Sequence, residues 1–205
     1  MQDKSHWEHV YTSKKPDAAS WYQQHAGNSL DLIQRTGIAS DAAIIDVGGG
    51  ASILIDDLLR LGYSDLTVLD LSSTALDVAR KRLGELAGTV SWMEADITQV
   101  TLPSHRFDLW HDRAVFHFLT DRRDRARYLQ AVKHAVRPGG FIIIATFAED
   151  GPEQCSGLPV QRYSADTLHA EFGAAFELLG HASEDHHTPF GSVQKFVYCY
   201  CRKLA

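Results

Sequence analysis

Basic charge, cysteine and long apolar runs are all scarce in this chain. Twenty Lys and Arg residues stand against 26 Asp and Glu, for a formal net charge of -6. That balance argues against a nucleic-acid partner, whose binding surface replaces condensed counterions with a dense basic field. The one basic cluster, Arg122, Arg123, Arg125 and Arg127, has Asp121 and Asp124 interleaved and reads as the solvated start of a helix. No window holds the ~20 apolar residues of a membrane helix, and Met1-Gln2-Asp3-Lys4-Ser5-His6 has no apolar signal core. The expectation is a cytoplasmic protein without a membrane partner. Three cysteines, an odd number, do not make a secreted disulfide framework. Cys199 and Cys201 alternate along one apparent strand and read as small packed residues. Repeats, low-complexity tracts and linkers are absent, and 205 residues suit one α/β domain.

What is present is a rhythm of strands and helices. Apolar strands are expected at Ile44 to Val47, Leu66 to Leu69, Val90 to Met93, Phe107 to Trp110 and Phe141 to Phe147, each separated by helical or loop sequence. This is the pattern of a parallel sheet with crossover helices. Ile53, Leu54, Leu58, Leu59 and Leu61 belong to one helix closed by Gly62. Leu76, Ala79 and Leu83 share a helical face, and so do Tyr128, Leu129, Val132 and Val136, before Arg137-Pro138-Gly139-Gly140 stops the helix. Ala175 to Leu179 and Val193 to Tyr200 are two strands without a helix between them, so they should pair antiparallel. The fold class is therefore α/β, a doubly wound, mostly parallel sheet with a reversed last strand and helices on both faces.

Ligands in such sheets bind at the carboxyl ends of the strands, where strand order switches. Ile44-Ile45-Asp46-Val47-Gly48-Gly49-Gly50-Ala51-Ser52 ends a strand there in an acid and a loop that leaves room for a ligand. The dinucleotide fingerprint is incomplete, because Ile53 stands at its sixth position. Asp70 ends the second strand about twenty residues on, where a carboxylate can accept both hydroxyls of a ribose. Asp96 ends the third, positioned to accept from an adenine amino group while Ile97 covers the ring. Acids at strand ends also cap helices, and that plainer role stays open for each.

The combination resembles the class I, seven-stranded S-adenosylmethionine-dependent methyltransferases, from Ile44 to Arg202. The resemblance implies a Rossmann-like core over 41–205 and a helical lid or cap over 1–40, within a single domain, 1–205. It implies that Gly48 and Gly50, with Gly49 between them, flank the methionine part of the cofactor. Asp46 would contact the methionine ammonium, Asp70 beside Leu71 the ribose, and Asp96 with Ile97 the adenine. S-adenosylhomocysteine would be the product. Ser52 departs from the pattern, where many members have a third glycine. A nicotinamide dehydrogenase shares the glycine loop and ribose acid but not Asp96 or the reversed strand. A catalytically silent adenosyl-binding module is the remaining alternative.

The acceptor is less sharply drawn. The fourth strand ends in His111, Asp112 and Arg113, and His111 and His117 are the titratable groups nearest neutrality, either able to serve as a base. Asp112 is the stronger candidate for a role in catalysis or at the cofactor. Asp112-Arg113-Ala114 resembles the fourth-strand motif of a lysine-methyltransferase branch, although His117 stands where that branch has a second acid. Trp7, Tyr11, Trp21 and Tyr22 resemble the same branch; Trp7 and Tyr11 read as pins for an N-terminal helix, Trp21 and Tyr22 as site residues that exclude water. Ala148 to Tyr163, with Glu149, Asp150, Cys155 and Arg162, should form the opposite wall. Cys155, His181, His186 and His187 match no metal-ligand spacing, and no metal is expected. The acceptor expected is a small-molecule nitrogen, oxygen or sulfur nucleophile, with a protein lysine as the alternative.

Overall fold

The structure, a computed structural model, describes residues 4–13 and 16–205; Met1, Gln2 and Asp3 of the leader reading, and Lys14 and Lys15 of the expected cap, lie outside them. Seven strands form one sheet in the order β3-β2-β1-β4-β5-β9-β8. They are β1 (Ala43–Val47), β2 (Asp65–Asp70), β3 (Val90–Glu94), β4 (Phe107–Arg113), β5 (Val136–Phe147), β8 (Phe176–His187) and β9 (Val193–Lys203). A small hairpin, β6 (Gln154–Cys155) and β7 (Leu158–Pro159), stands apart. The first five strands run parallel, and β9 lies antiparallel to both β5 and β8. The chain builds β1, β2 and β3 outward in one direction and then returns to place β4 on the other side of β1. A crevice therefore opens between the carboxyl ends of β1 and β4.

Period-two alternation distributes the core over both faces. Ile45, Val47, Trp110, Ile142 and Ile144 face helix α5 (Arg122–Ala135) and helix α6 (Ala165–Phe172). Ile44, Leu109, Ile143 and Ala145 face α2 (Gly27–Arg35), α3 (Leu54–Arg60) and α4 (Ser73–Leu83). Cys199 and Cys201 are buried on one face, with no disulfide between them. Among the described residues no helix is long and apolar enough to cross a membrane.

Two elements differ from their sequence expectations. Val136 is not helical: α5 ends at Ala135, and Val136 is extended and pairs with Phe107 at the start of β5. Pro138 accounts for this, since its ring cannot follow a helix and it drives Arg137 to extended backbone. Strand β8 runs to His187 rather than stopping at Leu179. Beyond Leu179 it alternates exposed His181, Ser183 and Asp185 with half-buried neighbours, the signature of an edge strand with one solvated face, which presents no apolar run to read.

The N-terminal helix α1 (Lys4–Ser13) docks across the open end of the sheet. Ser72 Oγ accepts from Ala75 N at 3.1 Å, capping α4. Glu8 of α1 adds a second cap, accepting from Ser73 N at 2.8 Å and Thr74 N at 3.3 Å. A carboxylate there meets the positive end of the helix dipole.

Candidate functional site

The glycine loop makes room first for the protein's own groups. Gly48 and Gly50 have φ of 71° and 24°, and Gly48 N donates to Leu69 O at 2.7 Å. A Cβ on Gly48 would collide with Val115, and one on Gly49 with the Asp46 carboxylate. One on Gly50 would fall 2.5 Å from Asp70 Oδ2 and 2.9 Å from Ala75 Cβ. The loop is thus shaped to admit two strand-end carboxylates. Ser52 has work of its own: its Oγ accepts from Leu54 N at 3.1 Å and starts α3.

Each acid is fixed differently. Asp46 Oδ1 accepts from His111 Nδ1 at 2.7 Å, across a register in which the two residues are neighbours on β1 and β4. Its Oδ2 is buried without a partner. His111 Nε2 lies 2.8 Å from Ser29 Oγ on α2, so both ring nitrogens are committed. Asp70 Oδ1 accepts from Ser72 N at 2.8 Å. Burial pushes its carboxyl up to about 7, helped by the charges of Asp46 and Glu8. Asp96 Oδ1 accepts from the backbone and hydroxyl of Thr98, and Oδ2 from Gln99 Nε2 at 2.7 Å, the strand-end cap that the sequence left open. Oδ2 retains capacity for a second donor.

These groups line two adjoining cavities. The first spans about 720 Å³, counting the solvent-open space at its mouth. Gly48, Asp70, Leu71, Asp96 and Ile97 form its floor, and Trp7, Tyr11 and Trp21 its roof. The second, about 650 Å³, runs over Asp46, Gly49, Ser29, Ser52, His111 and Tyr22. Gly48, Tyr11, Trp21 and Arg113 border both. Of the residues expected at a cofactor, Asp46, Gly48, Gly49, Asp70, Leu71, Asp96, Ile97, Trp21 and Tyr22 are brought together; Gly50 lies behind, against Asp70. Trp7 and Tyr11 do more than pin α1, since both face the first cavity. Trp7 packs edge-on against Trp21 and Phe118, with ring centroids 6.1 Å and 5.1 Å away.

Two expected catalytic residues do not reach either cavity. Successive side chains of β4 point to opposite faces, so His111 and Arg113 face the site while Asp112 turns into the α5 side. There Asp112, fully buried, accepts from Val115 N at 2.8 Å, Phe116 N at 3.1 Å and Tyr128 Oη at 2.5 Å. Burial pushes its carboxyl up to about 6. It holds the turn after β4 and lines neither cavity. His117 is sealed between Phe118 and Phe147. Burial, and then the charge of Arg113, lowers its pKa to about 3, which leaves a neutral ring that opens onto neither cavity.

In the stretch from Ala148 to Tyr163 only Cys155, of the residues named, lines the first cavity. Asp150 pairs with Lys195, Arg162 bonds the Gly151 carbonyl and Glu153, and Glu149 is exposed. His186 Nε2 is 2.7 Å from the Ser20 carbonyl, while His181 and His187 are exposed. Phe118 and Phe196, which line the first cavity, and Glu184 and Tyr198, which bond Arg113 behind it, were not legible in the sequence. They come from β8, β9 and a short turn, in segments that carry no motif.

Residues 44–140 match the model of the family described as methyltransferase domain. The chain is 27% identical over 148 residues to the eEF1A lysine and N-terminal methyltransferase of Danio rerio, a match covering 71% of this chain and 21% of that protein. It is 31% identical over 121 residues to the ubiquinone biosynthesis O-methyltransferase of Serratia proteamaculans, covering 56% and 46%. It thus spans 21% of that Danio rerio protein and 49% of the EEF1A lysine methyltransferase 2 of the same organism. In fold it matches, with a TM-score of 0.72 and 20% identity, the Burkholderia thailandensis 1,6-didemethyltoxoflavin-N1-methyltransferase, a structure holding 1,6-didemethyltoxoflavin and S-adenosylhomocysteine; 98% of this chain and 87% of that one are covered. Sheet order and reversed strand define a class I methyltransferase fold. The family match runs over the first four strands and the start of the fifth, and over that part the chain is similar to methyltransferase domains.

Proposed function

We propose that the protein, as one domain over 1–205 working in the cytoplasm, transfers a methyl group from S-adenosylmethionine to a small-molecule nitrogen, oxygen or sulfur nucleophile. The observation that carries this reading is the buried, unpartnered Oδ2 of Asp46 beside Gly48 and Gly49. A buried acceptor without a donor costs about 1–3 kcal/mol, and the ammonium of a methionine moiety supplies the missing partner. The first cavity fits the remainder: Asp70 accepts ribose hydroxyls, Asp96 Oδ2 accepts from the adenine amino group, and Leu71 and Ile97 cover the ring. Bound there, the cofactor supplies a methyl carbon on a positively charged sulfur. The protein's part is to orient the acceptor and to exclude water, and the roof of Trp7, Tyr11 and Trp21 does the latter.

The proton balance favours a small molecule over lysine. A lysine ammonium must lose a proton before it can attack, and carboxylates nearby would favour its approach. Here His111 is committed at both nitrogens, His117 is sealed, and the side chain that faces the junction from β4 is the cation Arg113. The lysine reading draws support from the relatives whose names specify eEF1A lysine. The test is labelled methyl donor incubated with the protein and a cell extract, then separated into macromolecular and small-molecule fractions. Label is expected in the small-molecule fraction. A discrete labelled protein band would establish the lysine reading instead, and no label above a heat-killed control would point to a silent adenosyl-binding module.

A further inference from the structure

Arg113 closes the junction of the two cavities, its side chain 9% exposed and that of its partner Glu184 10%. Its Nε donates to Tyr198 Oη at 3.1 Å, one terminal nitrogen to Glu184 Oε1 at 3.3 Å, and the other to the Trp21 carbonyl at 3.5 Å. The guanidinium carbon sits 4.1 Å from the centroid of the Phe196 ring, which holds the group flat against that face. A guanidinium has five N–H groups, so this pattern leaves two uncommitted. Glu184 accepts from Tyr198 Oη and from Gln23 as well as from Arg113, so both its oxygens are turned into the protein.

The surroundings of Arg113 in the first cavity are apolar and flat: Phe118, Phe196 and Cys155 form the wall, and Trp7 and Trp21 the roof. The carboxylates on that cavity, Asp70 at the end of β2 and Asp96 just past the end of β3, lie on the other side of β1 from β4, β5 and β9. An ammonium brought to this end meets a cation. A purely apolar acceptor leaves two guanidinium N–H groups buried without partners, which costs about 1–3 kcal/mol. An anion on a flat ring answers both conditions.

We propose that this end of the cavity binds a planar aromatic acceptor with an acidic O–H or S–H, held as its oxyanion or thiolate by the two uncommitted N–H groups of Arg113. The inference rests on the methyl-donor site proposed above. The acceptor releases its proton to solvent as it binds. A lone pair on the anionic oxygen or sulfur forms the new bond to the methyl carbon, and the electrons of the broken carbon–sulfur bond return to the donor sulfur. One anion and one sulfonium become a neutral methyl ether or thioether and neutral S-adenosylhomocysteine. No proton is left to remove during transfer, in keeping with a site whose two histidines are both withdrawn.

The experiment is a spectral titration of 4-nitrophenol with the full chain saturated by S-adenosylhomocysteine, whose own binding is measured by calorimetry on the same preparation. The bound phenol is expected to ionise at a pH at least about one unit below its solution value, roughly a tenfold shift in ionisation. The double substitution Arg113→Gln with Glu184→Gln removes both charges, so that neither is left buried alone. It should abolish the shift in protein that calorimetry shows still to bind S-adenosylhomocysteine. If that variant fails to fold, Arg113→Lys keeps the charge without the fork and should at least halve the shift. An unshifted phenol with S-adenosylhomocysteine bound, a shift that survives the substitutions, or n-hexylammonium binding more tightly than 4-nitrophenol would each overturn the proposal. Failure of S-adenosylhomocysteine to bind would instead overturn the donor site beneath it, and the calorimetry tells the two apart.

Discussion

Asp46 holds His111 with one oxygen and leaves the other buried and open. Replacing it with Asn keeps the shape but removes the charge that an ammonium would meet. Losing one charge-assisted hydrogen bond, about 1.5–3 kcal/mol, should weaken S-adenosylhomocysteine binding at least about tenfold by calorimetry. Asp70 makes a different prediction. Burial raises its carboxyl from 3.8 in the unfolded chain to about 7 in the fold. The folded protein therefore holds that proton more tightly, a contribution complete below 3.8 and lost as pH rises through about 7. In ligand-free protein, the Tm of wild type relative to Asp70→Asn should fall between about pH 4 and about pH 8. A constant difference would mean that Asp70 ionises normally. Both acids were legible in the sequence because a strand-end acid after a glycine loop is a matter of local spacing. Asp112 falls outside the cavities because the face of β4 on which a side chain points is a one-residue choice that the partner strands settle, and His117 because the turn after β4 packs it against Phe118 and Phe147.

Tyr128 of α5 accepts from Trp110 Nε1 at 2.9 Å and donates to Asp112, tying α5 to β4 beneath the site. Tyr128→Phe leaves both buried partners short of a bond. It should cost about 1–3 kcal/mol in urea unfolding yet change S-adenosylhomocysteine affinity by less than about twofold. A large loss of affinity would restore Asp112 to the site. Helix α1 is held on the cavity roof by the caps that Glu8 gives α4. Glu8→Ala should cost about 1 kcal/mol and raise amide exchange in Lys4–Ser13 and at the start of α4; unchanged exchange would show that the ring contacts of Trp7 suffice. The existence of the elements was plain from periodicity, while their ends were not. The end of α5 turned on Pro138, and the length of β8 on a polar outer face.

At the scale of the molecule, the order β3-β2-β1-β4-β5-β9-β8 brings groups from residues 7 to 196 onto one cavity. The parallel half and the reversed strand could be read from the chain, since a missing crossover helix forces an antiparallel pair. On the wall facing the acids, Arg113 and Cys155 could be read from their places after β4 and β5, but Phe118 and Phe196 could not, because Phe196 joins them only once β9 lies between β5 and β8. The acid-lined end of the cavity was thus legible and the aromatic end largely hidden. The direct test of the proposed donor site is calorimetric titration of the full chain with S-adenosylhomocysteine and NAD, on wild type and Asp70→Ala. Wild type should bind S-adenosylhomocysteine at one site and not NAD, and Asp70→Ala should weaken that binding on the order of a hundredfold. Tight NAD binding without S-adenosylhomocysteine binding, or an Asp70→Ala affinity equal to that of wild type, would contradict it.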